Sequence, residues 1–150
     1  MTAPAPLPAS IEKILARFQA MGREEKMQTL LSFAKKLEPL PERFRALPRD
    51  QFTVPECQTR VDLFPEVRDG NLYFYADLDA RQSPTVAAFL SILFSVVNGH
   101  PPDTTLAIPA DFVRRMMEGI GLAAREIGLE AMVARLKRYA RLLHEDQWPA

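Results

Sequence analysis

"NLYFYADLDARQSPTVAAFLSILFSVVNG", residues 71–99, decides the class of fold. In its first part Leu72, Phe74 and Ala76 fall on one side and Tyr73 and Tyr75 on the other, the period of a β-strand. A helix follows. Ser83 can cap it, Pro84 suits its first position, and Asn98-Gly99 ends it. Apolar residues run nearly all the way round "VAAFLSILFSVV" (86–97), as expected of a buried central helix. That run is well short of the roughly 20 residues a membrane-spanning helix needs. Both sides of the strand are apolar or aromatic, so helices should cover at least one of them.

Working outward, Asp69-Gly70 is a hairpin signal. The partner strand is read in "QTRVDLF" (58–64), with Thr59, Val61 and Leu63 on one side. The sheet should hold two or three antiparallel strands. Toward the N-terminus, Ser10 is read as an N-cap and Ile11, Ile14, Leu15, Phe18 and Met21 as one helix face closed by Gly22. A second helix carries Glu24 and Glu25 in its first turn and Lys35 and Lys36 in its last, both favourable to the macrodipole. Its expected stripe is Met27, Leu30, Leu31, Ala34 and Leu37, and the two helices read as an antiparallel hairpin.

Between Glu38 and Cys57, Pro39, Pro41, Pro48 and Pro55 interrupt regular structure, apart from one short turn in "PERFRAL". A connection this long is uncommon in a compact domain and reads as a working loop. "HPPDTTL" and "PADFVRRMMEG" are short helical pieces. A last helix starts near Ala124, turns Leu129, Met132, Val133, Leu136, Ala140 and Leu143 inward, and shows Arg135, Lys137, Arg138 and Arg141 on a basic outer face. The expected fold is α+β: residues 10–145 form one helix-rich domain with a small antiparallel sheet, between a tail at 1–9 and another at 146–150.

Composition narrows the function. Lys and Arg number 19, as do Asp and Glu, for a formal net charge of zero. That argues against nucleic acid or an anionic membrane as the main partner. The single cysteine forms no internal disulfide and belongs to no CxxC or zinc-ligand cluster, so the expected compartment is the reducing cytoplasm. "MTAPAPLPAS" lacks the basic and apolar regions of an export signal. The six glycines are scattered singly, so there is no phosphate-binding loop. No cofactor and no metal are expected. Asp62, Asp69, Asp77 and Asp79 cluster near the hairpin without a metal-binding spacing and read as solvated turn residues.

Chemistry concentrates on "FTVPECQTRV" (52–61), which holds Cys57. A lone cysteine is commonly a small buried hydrophobe. Cys57 instead sits beside polar Glu56, Gln58 and Thr59 at a loop-to-strand junction, where a thiolate could be presented. His100 and His144 would allow a Cys–His pair in principle, but no spacing brings either to Cys57.

Four blocks in order resemble the SufE family of sulfur acceptors. "VPECQTRVD" (54–62) is similar to V-x-G-C-Q-S-x-V-W at Val54, Cys57, Gln58 and Val61. "DGNLYFYADLDA" (69–80), "LSILFSVVNGHPPDT" (90–104) and "REIGLEAMVARLK" (125–137) resemble the family's strand, apolar helix and R-x-x-G-L-x-A-M segment. The chain departs from the pattern at Glu56, where the family has glycine, at Asp62, where it has tryptophan, and at "LAA" (122–124), which lacks the usual helix cap.

The resemblance implies a SufE/IscU-like fold and a sulfur-transfer role. Cys57 would be the persulfide carrier, loaded by a SufS-type pyridoxal-phosphate cysteine desulfurase and emptied to a SufB-containing scaffold. Arg125 would support the thiolate, the persulfide or the loop, and Glu56, Gln58 and Thr59 would form the binding surroundings. Such a chain is a desulfurase activator rather than a stand-alone enzyme. The alternative is a binding or scaffold protein that kept the fold and lost the transfer step.

Overall fold

The backbone of β2 (Asn71–Asp77) pairs with β1 (Asp62–Arg68) in an antiparallel hairpin in this computed structural model, which describes residues 9–118 and 123–148. Asp69 (φ 53°) and Gly70 (φ 79°) both take left-handed backbone, the requirement of a type I′ turn, and Arg68 faces Asn71 across it. The partner strand begins at Asp62, later than its sequence pattern suggests. Residues 58–61 are loop, because the Thr59 hydroxyl is tied to Ser83 and the chain turns back at Val61.

Seven helices surround the hairpin among the described residues: α1 (Ala9–Gln19), α2 (Arg23–Ala34), α3 (Glu42–Arg45), α4 (Pro84–Val97), α5 (Pro102–Leu106), α6 (Phe112–Met117) and α7 (Ala123–His144). The fold is the expected α+β one, with a two-stranded sheet. The anticipated tail at 1–9 lies outside the described residues except for Ala9, as does Leu122 of "LAA"; Ala123 and Ala124 open α7. At the other end, the ring of Trp148 packs 6.1 Å from that of Tyr139.

Helix α4 is the centre. Val86 to Leu93 are all buried, the fully enclosed Phe89, Leu90 and Ile92 among them, each contributing about 1.5–3 kcal/mol by leaving water. It ends at Asn98, whose side-chain amide then serves the free edge of β2. Asn98 Oδ1 accepts from the Phe74 N–H at 2.8 Å and Nδ2 donates to the Phe74 carbonyl at 3.0 Å. Leu72 pairs in the same way with Gly99 and His100, so residues 98–100 close that stretch of the edge.

Several local expectations change. Ser10 lies inside α1, and Gly22 is extended (φ −73°, ψ 171°) as the residue preceding α2, so it opens the second helix rather than closing the first. The first two helices do not form a hairpin on each other: α2 packs along α4 and α1 against α6, with Phe18 and Phe33 meeting between them. On α2, Leu31 is 50% exposed whereas Lys26 is buried, its Nζ donating to the Glu118 carbonyl at 2.7 Å. That bond satisfies a carbonyl at the end of α6, which explains the inward lysine.

The proline-rich connection has a structural task. Leu40, Phe44 and Phe52 pack with Phe64 and Tyr75 as a second small core, on the side of the hairpin facing away from α4. Residues 38–52 therefore cover the sheet, and the working part of the segment shrinks to the stretch beyond Phe52.

Candidate functional site around Cys57

The chain between Phe52 and Leu63 is a short closed loop. The Leu63 N–H donates to the Phe52 carbonyl and the Val54 N–H to the Val61 carbonyl, both at 2.9 Å. Buried Val54 and Val61 anchor its two legs in the core. Cys57 stands at the tip, its N–H reaching the Val54 carbonyl at 3.3 Å. Two side chains from outside the loop, and one bond across it, fix the base. Arg135 of α7 donates to the carbonyls of Gln51 (3.3 Å) and Thr53 (3.2 Å), Ser83 donates to the Thr59 hydroxyl, and the Thr53 hydroxyl donates to Asp62.

Beside the loop lies an ionic cluster. Asp62 and Asp77 are direct cross-strand partners, and two like charges so placed repel. Arg49 bridges them, at 3.0 Å from Asp62 and 2.6 Å from Asp77, and Arg60 adds a contact to Asp62 at 3.5 Å. The hydrogen bonds to Asp77 and then Asp62 raise the Arg49 pKa, so it stays charged. Asp62 is thus no solvated turn residue: it is 2% exposed, and the guanidinium makes its burial tolerable. Asp77 belongs to the same bridge, whereas Asp69 and Asp79 are exposed.

The thiol itself is half-buried and rests on α7. A β-carbon at Gly128 would stand 3.1 Å from Cys57 Cα and 3.4 Å from both its Cβ and its Sγ. Arg125 lies one turn earlier on the same helix face and is half-buried, with no hydrogen bond or ion pair from its side chain among the described residues. Thr59 serves the loop base, while Glu56 and Gln58 are exposed and Gln58 makes no side-chain hydrogen bond among the described residues. Glu56 is not among the residues of positive φ, so glutamate stands there without the strain that would call for glycine.

Neither histidine joins Cys57. His100 pairs by its backbone with Leu72, and His144 Nδ1 lies 3.3 Å from Asp103 at the far end of α7, about 24 Å along the helix from Gly128 at 1.5 Å per residue. The outer face of α7 is less freely basic than its sequence suggests. Arg135 is used on the loop, and Lys137 donates to the Ile108 carbonyl, its pKa lowered by burial and by nearby Arg141. No cluster of three metal-ligating side chains occurs among the described residues, and no described helix is long and apolar enough to cross a membrane.

The SufE family, described as an Fe-S metabolism associated domain, matches residues 12–140. This chain belongs to the SufE family. Uncharacterized SufE-like proteins from two strains of Mycobacterium tuberculosis are each 36% identical to it over 149 residues, covering 94% of this chain and 98% of theirs. The solution structure of a hypothetical protein from Thermus thermophilus superposes with a TM-score of 0.78 at 28% identity, covering 93% of this chain and 99% of that one. SufE membership associates the chain with iron–sulfur metabolism.

Sequence reasoning singled out Cys57 and Arg125 but missed Arg49, Ser83 and Arg135, whose roles depend on partners distant in sequence. Gly128 was visible only as a motif letter. A glycine inside a long helix, about 1 kcal/mol worse than alanine, was the signal that something approaches it closely.

Proposed function

We propose that this chain accepts a sulfur atom on Cys57 from a SufS-type pyridoxal-phosphate cysteine desulfurase and passes it on for iron–sulfur cluster assembly, with a SufB-containing scaffold as the onward acceptor. The observation that carries the reading is the seat of Cys57: half-buried against Gly128, at the tip of a loop tied only at its base. A carrier must shelter one sulfur and also present it, and such a loop does both.

The chemistry is exchange without net redox change. The Cys57 thiolate attacks the terminal sulfur of the donor's persulfide. A new S–S bond forms on Cys57 as the donor's S–S bond breaks, and the donor cysteine leaves as a thiolate. Arg125, half-buried and one turn from Gly128, is the cation that would meet the negative charge passing between the two sulfurs during exchange. Exposed Glu56 and Gln58 are what a docking partner meets beside the sulfur, and Thr59 keeps the loop base in place.

The test mixes the protein with a desulfurase, cysteine and pyridoxal phosphate and reads intact mass. One added sulfur atom on Cys57, lost in Cys57→Ser, is the expected result. Arg125→Ala should slow loading about tenfold or more, the effect of losing a charge-assisted contact. No mass gain together with unchanged desulfurase turnover overturns the reading. A Cys57→Ser protein that still stimulates turnover would favour a binding partner that does not carry sulfur.

A further inference from the structure

Gly128 has no backbone reason to be glycine. It sits inside the 22-residue helix α7, and positive φ among the described glycines occurs only at Gly70 and Gly99. The three nearest atoms a β-carbon there would meet all belong to Cys57. Gly22 and Gly70, by contrast, have open space around that position. The close approach of Cys57 accounts for the missing side chain.

We infer that Gly128 is the seat that holds Cys57 withdrawn, and so sets how often the thiol can be reached. The closest approach, 3.1 Å, is to Cys57 Cα, which is backbone; no rotamer change relieves it, and the neighbour must move by a few tenths of an ångström. Helix α7 will not be the part that moves. Leu129, Met132 and Leu136 pin it in the core at 0% exposure. Among the described residues the one hydrogen bond at the loop tip is that from Cys57 N–H to the Val54 carbonyl at 3.3 Å, while the other ties lie below it. Any side chain at position 128 therefore pushes the tip outward, and a larger one pushes further. Gly128 touches the reacting residue and not the substrate, so it is a positioning residue.

The inference deepens the acceptor reading and rests on it for the purpose of withdrawal, but it is tested without a desulfurase. The measurement is the rate of Cys57 alkylation by iodoacetamide across pH in the wild-type chain, Gly128→Ala and Gly128→Val. Ala134→Val, at an exposed position on the same helix, is the control. The high-pH plateau should rise from wild type to Ala to Val, by about fivefold or more for Val, with the control unchanged. A rising plateau, rather than a shifted midpoint, reports exposure and not thiol acidity.

Gly128→Ala should also melt no lower than wild type, because alanine is the better helix former. Faster alkylation at equal or higher melting temperature cannot come from global unfolding, so the Ala variant decides the matter even if Val does not fold. Plateaus that stay flat or fall in folded variants overturn the seat. In a second arm with desulfurase and cysteine, the Gly128→Ala persulfide should lose its sulfur to dithiothreitol faster than wild type, and equal loss rates count against the seat. If no variant gains sulfur, the acceptor reading fails, and the alkylation series alone still upholds or overturns the seat.

Discussion

Arg49 reaches 3.0 Å from Asp62, a carboxylate 2% exposed at the first position of β1 and five residues after Cys57. Where the resemblance implies a tryptophan, position 62 carries a charge, and a guanidinium from the sheet-covering segment meets it. The bond joins that cover to the strand that leaves the cysteine loop, so one ion pair couples the second core to the site.

Removing one member of a buried pair leaves the other charge without compensation. Arg49→Met should destabilise the protein by about 3 kcal/mol, the lower end for such a loss, because Arg60 stays near Asp62. The double variant Arg49→Met/Asp62→Asn should recover part of this, since asparagine is neutral and still accepts from Thr53. Denaturant titration of the four proteins gives the coupling. A single-variant loss below about 1 kcal/mol would mean the pair behaves as an ordinary surface bridge.

Glu66 supplies a pH signature on the same face of the hairpin. Arg43 donates to it through two nitrogens, at 2.8 and 3.0 Å, and this contact first, with the charges of Arg43 and Arg68 behind it, lowers its pKa from 4.5. With the folded pKa below the unfolded one, the unfolded state binds more protons between the two values, so stability rises with pH there. The contribution is fully present above pH 4.5 and is lost as pH falls through the lowered folded value. Glu66→Gln should flatten this part of an acid-denaturation curve. An unchanged slope would show that the Arg43 contact is not kept in solution.

How far the sequence could be read depended on range. The Asp69-Gly70 turn, the course of α4 and the inward residues of α7 are local patterns, and the structure agrees with them. Lys26 was not legible, because its partner is a carbonyl 92 positions away, and a lysine in a helix reads as surface. Buried Asp62 was hidden for the same reason: its main partner, Arg49, arrives from a segment without periodicity. At the site, the position of Cys57 pointed to a loop, but the surface it rests on is a pairing of residues 57 and 128 that no local period encodes.

Glu56 invites the last prediction, since a resemblance read by letters alone would treat it as a defect. Its φ lies outside the left-handed range, so glycine would relieve no strain. Glycine would instead widen the unfolded ensemble and loosen the loop tip, and Glu56→Gly should lower stability by about 0.5–1 kcal/mol. The exposed carboxylate also places a negative charge next to Cys57 in sequence. Glu56→Gln separates the two effects by removing the charge and keeping the backbone. Alkylation of Cys57 near neutral pH should run at the wild-type rate in Glu56→Gln, with stability unchanged, and faster in Glu56→Gly, whose loop tip is looser. A Glu56→Gln rate above that of wild type would show that loop stiffness alone does not account for the effect of position 56.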